Sequence, residues 1–517
     1  MMKNSLNRKQ VAGGATISYI LILLNALYGI ALMPYIISNI GSAEYGVYKT
    51  ISSLSSAFMV LDLGLGGTVM RYIARFKADH EENRISNFLG MCFVEGIIMS
   101  AIVVIGSVFI YFSIDSIYAK GLTVSEILRA RQLFVFLAVS VVCHIFENIL
   151  NGIITGFNQF IIGNGIKLIR LILRLSLMFI LLVFFKNSVV LVAIDLLLII
   201  GMIIVEILYI RINLRITIRY ASWDWALFVE SFKYTILVFA TSIVAQVNNN
   251  VDNVIIGAIV NSVSVTIYSL GLQIFSMFGE LSIAISGVML PTVTNYLKTD
   301  DKQMTNTKQL IIRVGRIQFS LLAAAFVGFV ILGKNFIRIW MGSSGHDDIY
   351  YLSIILMFPA LFELCINVCI SILRAKNMLG FRTLTLLLST GLNLLITVVG
   401  TYYWNYYGAA LGTSVSFIVG SLITMNLYYR RKFGFNMIKI YLQIFDRIWV
   451  CVLFSGLVCY LVTRTLQSDV LVFVVGVVSF FVVYSITMYL YGFNNREKAS
   501  VQKIVNKLLG KSALLNN

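Results

Sequence analysis

The chain has 517 residues, of which 59% are hydrophobic and only 12% are charged, and its mean hydropathy is +0.89. This composition excludes an ordinary soluble domain, because such domains carry about 25% charged residues. The formal net charge of +17 is explained by membrane insertion and anionic headgroups, so we expect no nucleic-acid partner. The six cysteines all lie in apolar segments, where they act as small apolar residues and indicate no disulfide framework.

Apolar stretches of about 20 residues recur along the chain, which is the length that a helix needs to cross a hydrocarbon core of roughly 30 Å. The sequence predicts an all-α integral membrane protein with about 14 transmembrane helices. The predicted spans cover residues 15–37, 48–70, 87–112, 132–155, 163–185, 188–210, 233–257, 264–290, 317–340, 350–372, 381–403, 408–429, 446–464 and 470–492. Most Lys and Arg residues lie in segments that face one side, which predicts that both termini are cytoplasmic.

The two halves of the chain resemble each other weakly, which predicts two pseudo-symmetric lobes of six helices plus two C-terminal helices. Residues 36–45 align with residues 259–268, and Gly163 aligns with Gly380. Parallel repeats are a recurrent transporter plan, with the substrate site near the bilayer midplane. The predicted organisation is a cytoplasmic N-terminus at 1–14, an N-lobe at 15–212, a cytoplasmic linker at 213–232, a C-lobe at 233–432, two added helices at 433–493 and a basic cytoplasmic tail at 494–517.

Three cations inside predicted span 5 are the strongest functional feature of the sequence. Lys167, Arg170 and Arg174 are spaced by three and four residues and share one helical face, and residues 163–185 contain no acid. A charge near the bilayer centre costs roughly 2.5–3.5 kcal/mol on insertion scales, so it normally faces a wet cavity or a partner. We expect this cationic stripe to bind phosphate or carboxylate, although Lys167 could instead snorkel to the nearby interface.

The internal repeat indicates that the fold does not require the cationic stripe. In the aligned register, the three positions of the stripe correspond to Leu384, Leu387 and Gly391. The helix is therefore duplicated and its charge is not. A requirement of the fold would be expected in both copies, so this asymmetry favours a functional role for the stripe.

Acidic residues inside other spans are candidate counterions or coupling groups. Asp195 and Glu206 in span 6 are nearest to the stripe in sequence, and some acids must compensate its charge. His144 and Glu147 share one face of span 4, where they could carry a proton or form a structural pair. Asp62 lies among glycines, and both a structural and a coupling role stay open for it.

A polar run in predicted span 7 is a second candidate site. It covers residues 246–253 and includes Asn248, Asn249 and Asp252. The run is too hydrophilic to face lipid, so we expect it to line the cavity from the second lobe and to contact a solute or a coupling ion. The alternative is that these side chains form hydrogen bonds between helices.

No catalytic or metal-binding pattern accompanies these polar groups, and we expect neither an enzyme nor a cofactor. Residues 163–167 lack the spacing of a Walker A motif and the Ser or Thr after its Lys, which argues against ATP-driven transport within the chain. A membrane glycosyltransferase or polymer ligase is the enzymatic alternative. It would be expected to have a larger outward loop than residues 113–131 provide.

Four local motifs occur along the chain: the Gly-x-x-x-Tyr-Gly turn at 41–46, the Asp-Leu-Gly-Leu stretch at 62–65 with the segment 71–74, the loop at 152–160 and the start of the second lobe at 252–257. They resemble those of the Wzx-type polysaccharide exporters, the lipid-linked oligosaccharide flippases of the multidrug/oligosaccharidyl-lipid/polysaccharide (MOP) superfamily. Each motif is weak alone, but all four occur in the expected order. The resemblance covers about residues 10–492.

The resemblance implies a MATE/MurJ-like fold that works by alternating access. It implies a substrate of undecaprenyl diphosphate carrying a sugar repeat unit, moved across the bacterial cytoplasmic membrane for O-antigen, capsule or exopolysaccharide. Membrane lipids are expected partners, and the sequence leaves open whether the protein works alone or beside a polysaccharide polymerase. Lys167, Arg170 and Arg174 match the cationic cavity of such exporters in kind. Spans 1 and 8 lack the cations that are expected of a peptidoglycan precursor flippase. A cation-coupled multidrug exporter is the alternative within the superfamily.

Overall fold

The computed structural model describes residues 2–62, 64–286, 289–299, 304–342, 346–495, 497–499 and 502, and none of these residues forms a β-strand. The helices are α1 (Met2–Ile40), α2 (Ser42–Ser56), α3 (Leu65–Ala78), α4 (Glu82–Tyr118), α5 (Val124–Gly156), α6 (Phe160–Phe184), α7 (Ser188–Tyr209), α8 (Trp225–Ile259), α9 (Ser262–Ser286), α10 (Leu290–Thr299), α11 (Thr305–Met341), α12 (Asp347–Leu364), α13 (Val368–Ala375), α14 (Leu379–Ser416), α15 (Met425–Phe433), α16 (Met437–Phe445), α17 (Ile448–Thr463) and α18 (Asp469–Thr487). Shorter helical turns are the 3-10 turn Ala57–Asp62 and the π-helical turns Ile210–Leu214, Phe417–Thr424 and Met488–Gly492.

Many of these helices have the length and composition of membrane spans. In the described part of the chain, eight helices can cross a membrane, or up to ten if each of two bent pairs is one span. The longest stretch, Leu379–Phe433, has 55 residues and bends at Trp404 and Asn405, so it is long enough for two spans. Helix α6 has the length of a span, with 25 residues, and it carries the cationic stripe. The structure confirms an all-α membrane protein and is compatible with about 14 spans without establishing that number.

The chain divides into two compact units. Unit 1 consists of Met1–Ser269 and Leu394–Ala409, and unit 2 consists of Leu270–Asn393 and Ala410–Asn517. Unit 1 thus continues well beyond the predicted end of the N-lobe at residue 212.

Unit 1 extends past the predicted boundary because α8 packs closely against α2. The side-chain amide of Asn253 donates to Ser53 Oγ over 3.1 Å. An ideal Cβ atom on Gly257 would overlap the side chain of Thr50, so only a glycine permits this approach. The polar run of predicted span 7 therefore belongs to the same unit as the cationic stripe.

Helix α5 is the centre of unit 1, where it contacts α2, α3, α4 and α7. It begins with a capping box in which Thr123 and Glu126 satisfy each other's backbone amides. Gly66 of α3 and Gly152 of α5 allow the two helices to approach closely, because an ideal Cβ atom on Gly152 would lie 2.5 Å from the Gly66 carbonyl oxygen. This packing directs the polar face of α5 toward α6 and α7.

Helix α11 has the corresponding central position in unit 2. It contacts α12, α16, α17 and α18, so the last helices of the chain belong to the core of this unit. Leu332 of α11, Cys459 of α17 and Phe480 of α18 form one buried cluster there.

Candidate functional site

The cationic stripe lies on α6, and its third member is held by an ion pair with α7. The Arg174 Nε atom lies 2.6 Å from Asp195 Oδ1, and Arg174 Nη2 donates to Asp195 Oδ2 over 2.8 Å. Both side chains are about one quarter exposed, at 26% and 24%. The contact combines one charge-assisted hydrogen bond from Nη2 with a close ion pair at Nε. Asp195, which the sequence predicts as a counterion, is therefore next to the stripe.

The other two cations of the stripe have no such partner. Among the described residues, Lys167 and Arg170 make neither a hydrogen bond nor an ion pair within 4 Å. The Lys167 side chain is exposed, and Arg170 is half-buried. Their charges act on two carboxylates, Glu147 of α5 and Glu206 of α7. Lys167 and Arg170 can therefore accept an anion without first breaking a direct ion pair.

The two carboxylates that face the stripe are buried and are held by polar neighbours. His144 Nδ1 lies 3.6 Å from Glu147 Oε2, and the Glu147 side chain is 8% exposed. Glu206 is completely buried, and its Oε1 accepts a hydrogen bond of 3.4 Å from Asn151. Carboxyl groups on α5 and α7 thus lie within electrostatic reach of the cations of α6.

Helix α2 adds a fourth cation, which the sequence reasoning did not include in the site. Lys49 and Tyr48 both interact electrostatically with Arg174, and Tyr48 also interacts with Asp195. The Lys49 ammonium lies 5.7 Å from the ring centroid of Tyr45. The signal in the sequence was a lone charge inside an apolar segment, but nothing in it indicated that α2 would contact α7, which packs against α6.

Asp62 lies in the 3-10 turn between α2 and α3, and its contacts tie that turn to α5. Its Oδ2 accepts a hydrogen bond of 3.0 Å from Asn148. The next described residue, Gly64, has φ 68° and ψ 30°, a left-handed conformation that suits glycine. The glycines beside Asp62 therefore include one that the turn itself requires.

Asp252 is held by hydroxyl groups of α9 and α14. It is 3% exposed, Tyr268 donates to its Oδ2, and Thr397 donates to its Oδ1 over 3.2 Å. The sequence predicts this residue in the second lobe, whereas the structure places it in unit 1. Of its neighbours, Asn248 is half-buried and Asn249 is exposed. Asp252 therefore forms hydrogen bonds between helices, which is the alternative role that the sequence left open for the polar run at 246–253.

Metal-binding groups are not assembled in the described part of the chain. No three His, Cys, Asp or Glu side chains there are close enough to hold a metal ion. All six cysteines are free. The chemistry of the candidate site is therefore that of cations, carboxylates and amides, which suits the binding of an anion.

A helical membrane protein with this arrangement has the fold of transporters of the MOP superfamily. The lipid II flippase MurJ, in an inward closed conformation, aligns with a TM-score of 0.74 at 16% identity over 92% of this chain and 98% of its own. An inward-facing multidrug resistance MATE family transporter aligns with a TM-score of 0.61 at 14% identity, over 79% and 97% of the two chains. A MOP superfamily transporter from Pyrococcus furiosus, described as having a binding pocket of reverse polarity, aligns with a TM-score of 0.51 at 14% identity, over 84% and 94%.

The sequence itself assigns the family. Residues 11–297, more than half of the chain, match the family described as polysaccharide biosynthesis protein. The chain belongs to that family, and it is a multi-pass membrane protein. The resemblance to MOP-superfamily flippases that its motifs indicate is confirmed, and a Wzx-type exporter is consistent with it. No curated protein matches the chain in sequence.

Proposed function

We propose that the protein is a flippase for undecaprenyl-diphosphate-linked oligosaccharide repeat units in the bacterial cytoplasmic membrane. The exported repeat units would be used for a surface polysaccharide such as O-antigen, capsule or exopolysaccharide. The observation that carries the proposal is the pair of cations without direct partners, Lys167 and Arg170, in a member of a polysaccharide biosynthesis family. A protein of the same fold, MurJ, is named as a lipid II flippase.

The geometry of the stripe suggests how a diphosphate would be bound and released. Arg170 and Lys167 provide the first contacts, because neither has to leave an ion pair. Arg174 is the deeper contact, and it has to leave Asp195 before it can bind a phosphate oxygen. Release on the far side is favoured when Asp195 takes Arg174 back. The lipid tail can remain in the bilayer throughout.

The remaining polar groups have secondary roles in this proposal. Asn249, which is exposed, and Asn248 are candidates to contact sugar hydroxyls. Asp252, Asp62 and the His144–Glu147 pair are candidates to couple transport to an ion or a proton. Both termini would lie in the cytoplasm, and a polysaccharide polymerase would take over the cargo on the outer side.

A cation-coupled multidrug exporter is the second candidate, because a MATE transporter shares the fold. Exporters of cationic drugs need an acidic cavity, which the stripe contradicts.

The experiment uses a deletion strain in which undecaprenyl-linked glycans are fractionated by leaflet and surface polysaccharide is scored. A flippase predicts complete repeat units on the cytoplasmic side and no surface polymer. Repeat units that reach the outer face without being polymerised would indicate a ligase, and an unchanged glycan profile with altered drug susceptibility would indicate drug export.

The deletion strain also tests the stripe. The double variant Arg170→Gln, Arg174→Gln is expected to abolish export at a normal protein level, because the diphosphate loses two of its charge-assisted contacts. Lys186→Gln is the matched control, since it removes an exposed charge just beyond the end of α6. Normal export by the double variant would contradict the proposed role of the stripe.

A further inference from the structure

A cavity of about 620 Å³ opens in unit 2 beside the first turns of α11. Its volume is that of a site for a small molecule or a headgroup with part of its chains. Its lining combines polar and apolar side chains. The polar lining includes Asn306, Gln309 and Arg313, and the apolar lining includes Ile317, Ile448 and Met488.

A buried arginine makes the inner wall of this cavity rigid. Arg316 is 7% exposed, and its Nε donates to Glu497 Oε1 over 2.8 Å. Its Nη1 donates to the carbonyl oxygens of Gln443 and Asp446, each over 3.1 Å, and its Nη2 donates to that of Gly492 over 2.9 Å. One guanidinium therefore connects α11, the break between α16 and α17, the end of α18 and the first residues of the tail.

The cavity lies at the level of the lipid headgroups. Helix α11 has 37 residues and is about 55 Å long, so it extends well beyond a hydrocarbon core of roughly 30 Å. Arg313 precedes the predicted span 317–340. The start of α17 and the end of α18 line the same cavity, so this end of unit 2 is also where the chain leaves the membrane into its tail. The distribution of basic residues predicts that this face is cytoplasmic.

The charge of the cavity suits a single phosphodiester. The Glu497 carboxylate is neutralised by Arg316. Arg313 is exposed, and among the described residues it makes no hydrogen bond or ion pair. One available positive charge beside an apolar wall matches a monoanionic headgroup with its acyl chain, whereas a diphosphate carries at least two charges. The sequence of the tail is also basic, with Lys498, Lys503 and Lys507.

We propose that this cavity binds an anionic phospholipid of the cytoplasmic leaflet, with the phosphate at Arg313 and an acyl chain along Ile317 and Ile448. Basic pockets between transmembrane helices on the cytoplasmic side bind anionic headgroups in this way. The bound lipid neutralises Arg313 and covers the apolar lining of the cavity. The site is separate from the cationic stripe, and it does not depend on which cargo the protein carries.

The test measures lipid binding to the purified, delipidated full chain by native mass spectrometry. Phosphatidylglycerol is the anionic probe, and phosphatidylethanolamine is the zwitterionic one. The wild-type protein is expected to prefer phosphatidylglycerol, and Arg313→Gln is expected to weaken its binding about five-fold, as expected for one basic residue near an anionic lipid. Arg431→Gln is the matched control, because this exposed residue on α15 lies outside the cavity and the sequence predicts it on the same face.

A second variant tests the apolar wall. Ile317→Trp places a large ring where the acyl chain is proposed to lie, and a similar loss of phosphatidylglycerol binding is expected. Equal losses in Arg313→Gln and Arg431→Gln would overturn the proposal, as would a wild-type protein without preference between the two lipids. Displacement of phosphatidylglycerol by an equal concentration of undecaprenyl phosphate would also overturn it, because the cavity would then be a site for the carrier lipid.

Discussion

The cationic stripe of unit 1 and Arg316 of unit 2 are opposite uses of charge in the same membrane protein. Arg316 donates to a carboxylate and to three backbone carbonyl groups, and it is almost completely buried. Lys167 and Arg170 make no direct contact of this kind among the described residues. A cation whose donors are all occupied holds helices together, whereas a cation with free donors is available to a ligand. Arg174 lies between these two cases, because it is paired with Asp195, a single residue on the neighbouring helix.

The largest effect is expected when Arg316, whose hydrogen-bond donors are all occupied, is replaced. Arg316→Met leaves Glu497 and three carbonyl groups without their donor, and loss of one partner of a buried ion pair costs about 3–5 kcal/mol. We expect a large fall in the thermal unfolding temperature of the protein in detergent. Arg170→Met is the comparison variant, and it should change that temperature much less, since Arg170 makes no hydrogen bond or ion pair with the described residues. Equal stability of the two variants would remove the distinction between the two kinds of cation.

A smaller effect is expected when the ion pair between Arg174 and Asp195 is broken. Asp195→Asn and Arg174→Gln each break the same ion pair, so the free energies of unfolding should not add in the double variant. The coupling energy of such contacting groups is roughly 1–3 kcal/mol. If the proposed exchange is correct, Asp195→Asn should also retain more cargo in detergent than the wild-type protein, because Arg174 loses its competing carboxylate. Additive effects in the double-mutant cycle would mean that the pair is not energetically important.

The smallest effect is expected at the exposed end of the stripe. An exposed ionic contact contributes about 0.2–1 kcal/mol, so Lys167→Gln should slow export by at most about five-fold. The rate of appearance of repeat units on the outer face measures it. Export at the wild-type rate would identify Lys167 as a residue that snorkels to the interface, and a complete loss would place it among the essential contacts.

The internal repeat also bears on the role of the charges on α6. Helix α6 and the first part of α14 correspond in sequence, but Leu384 and Leu387 occupy the positions of Lys167 and Arg170 and are exposed. The helix forms with either kind of residue because backbone hydrogen bonding and length are the same in both. The position of charge is therefore independent of the fold, which is why its presence on α6 alone points to function.

The amino-acid sequence by itself determined the class of this protein and the existence of the stripe. Long apolar runs must become helices in a bilayer, because each backbone polar group needs an internal partner there. The spacing of Lys167, Arg170 and Arg174 determined their common face, since helical periodicity is a local property. Asp195 could be named as a counterion because it lies on the next helix along the chain.

Only the tertiary structure decided which polar groups have partners. Lys49 interacts with Arg174 because α2 contacts α7, which packs against α6, and Asp252 is held by Tyr268 and Thr397. Arg316 meets Glu497 across a separation of 181 residues. These contacts depend on how helices distant in sequence pack, and that packing is set by small steric details such as the glycines of α3, α5 and α8. Periodicity determines the face on which a charge lies, and packing determines whether that charge is satisfied or free to bind.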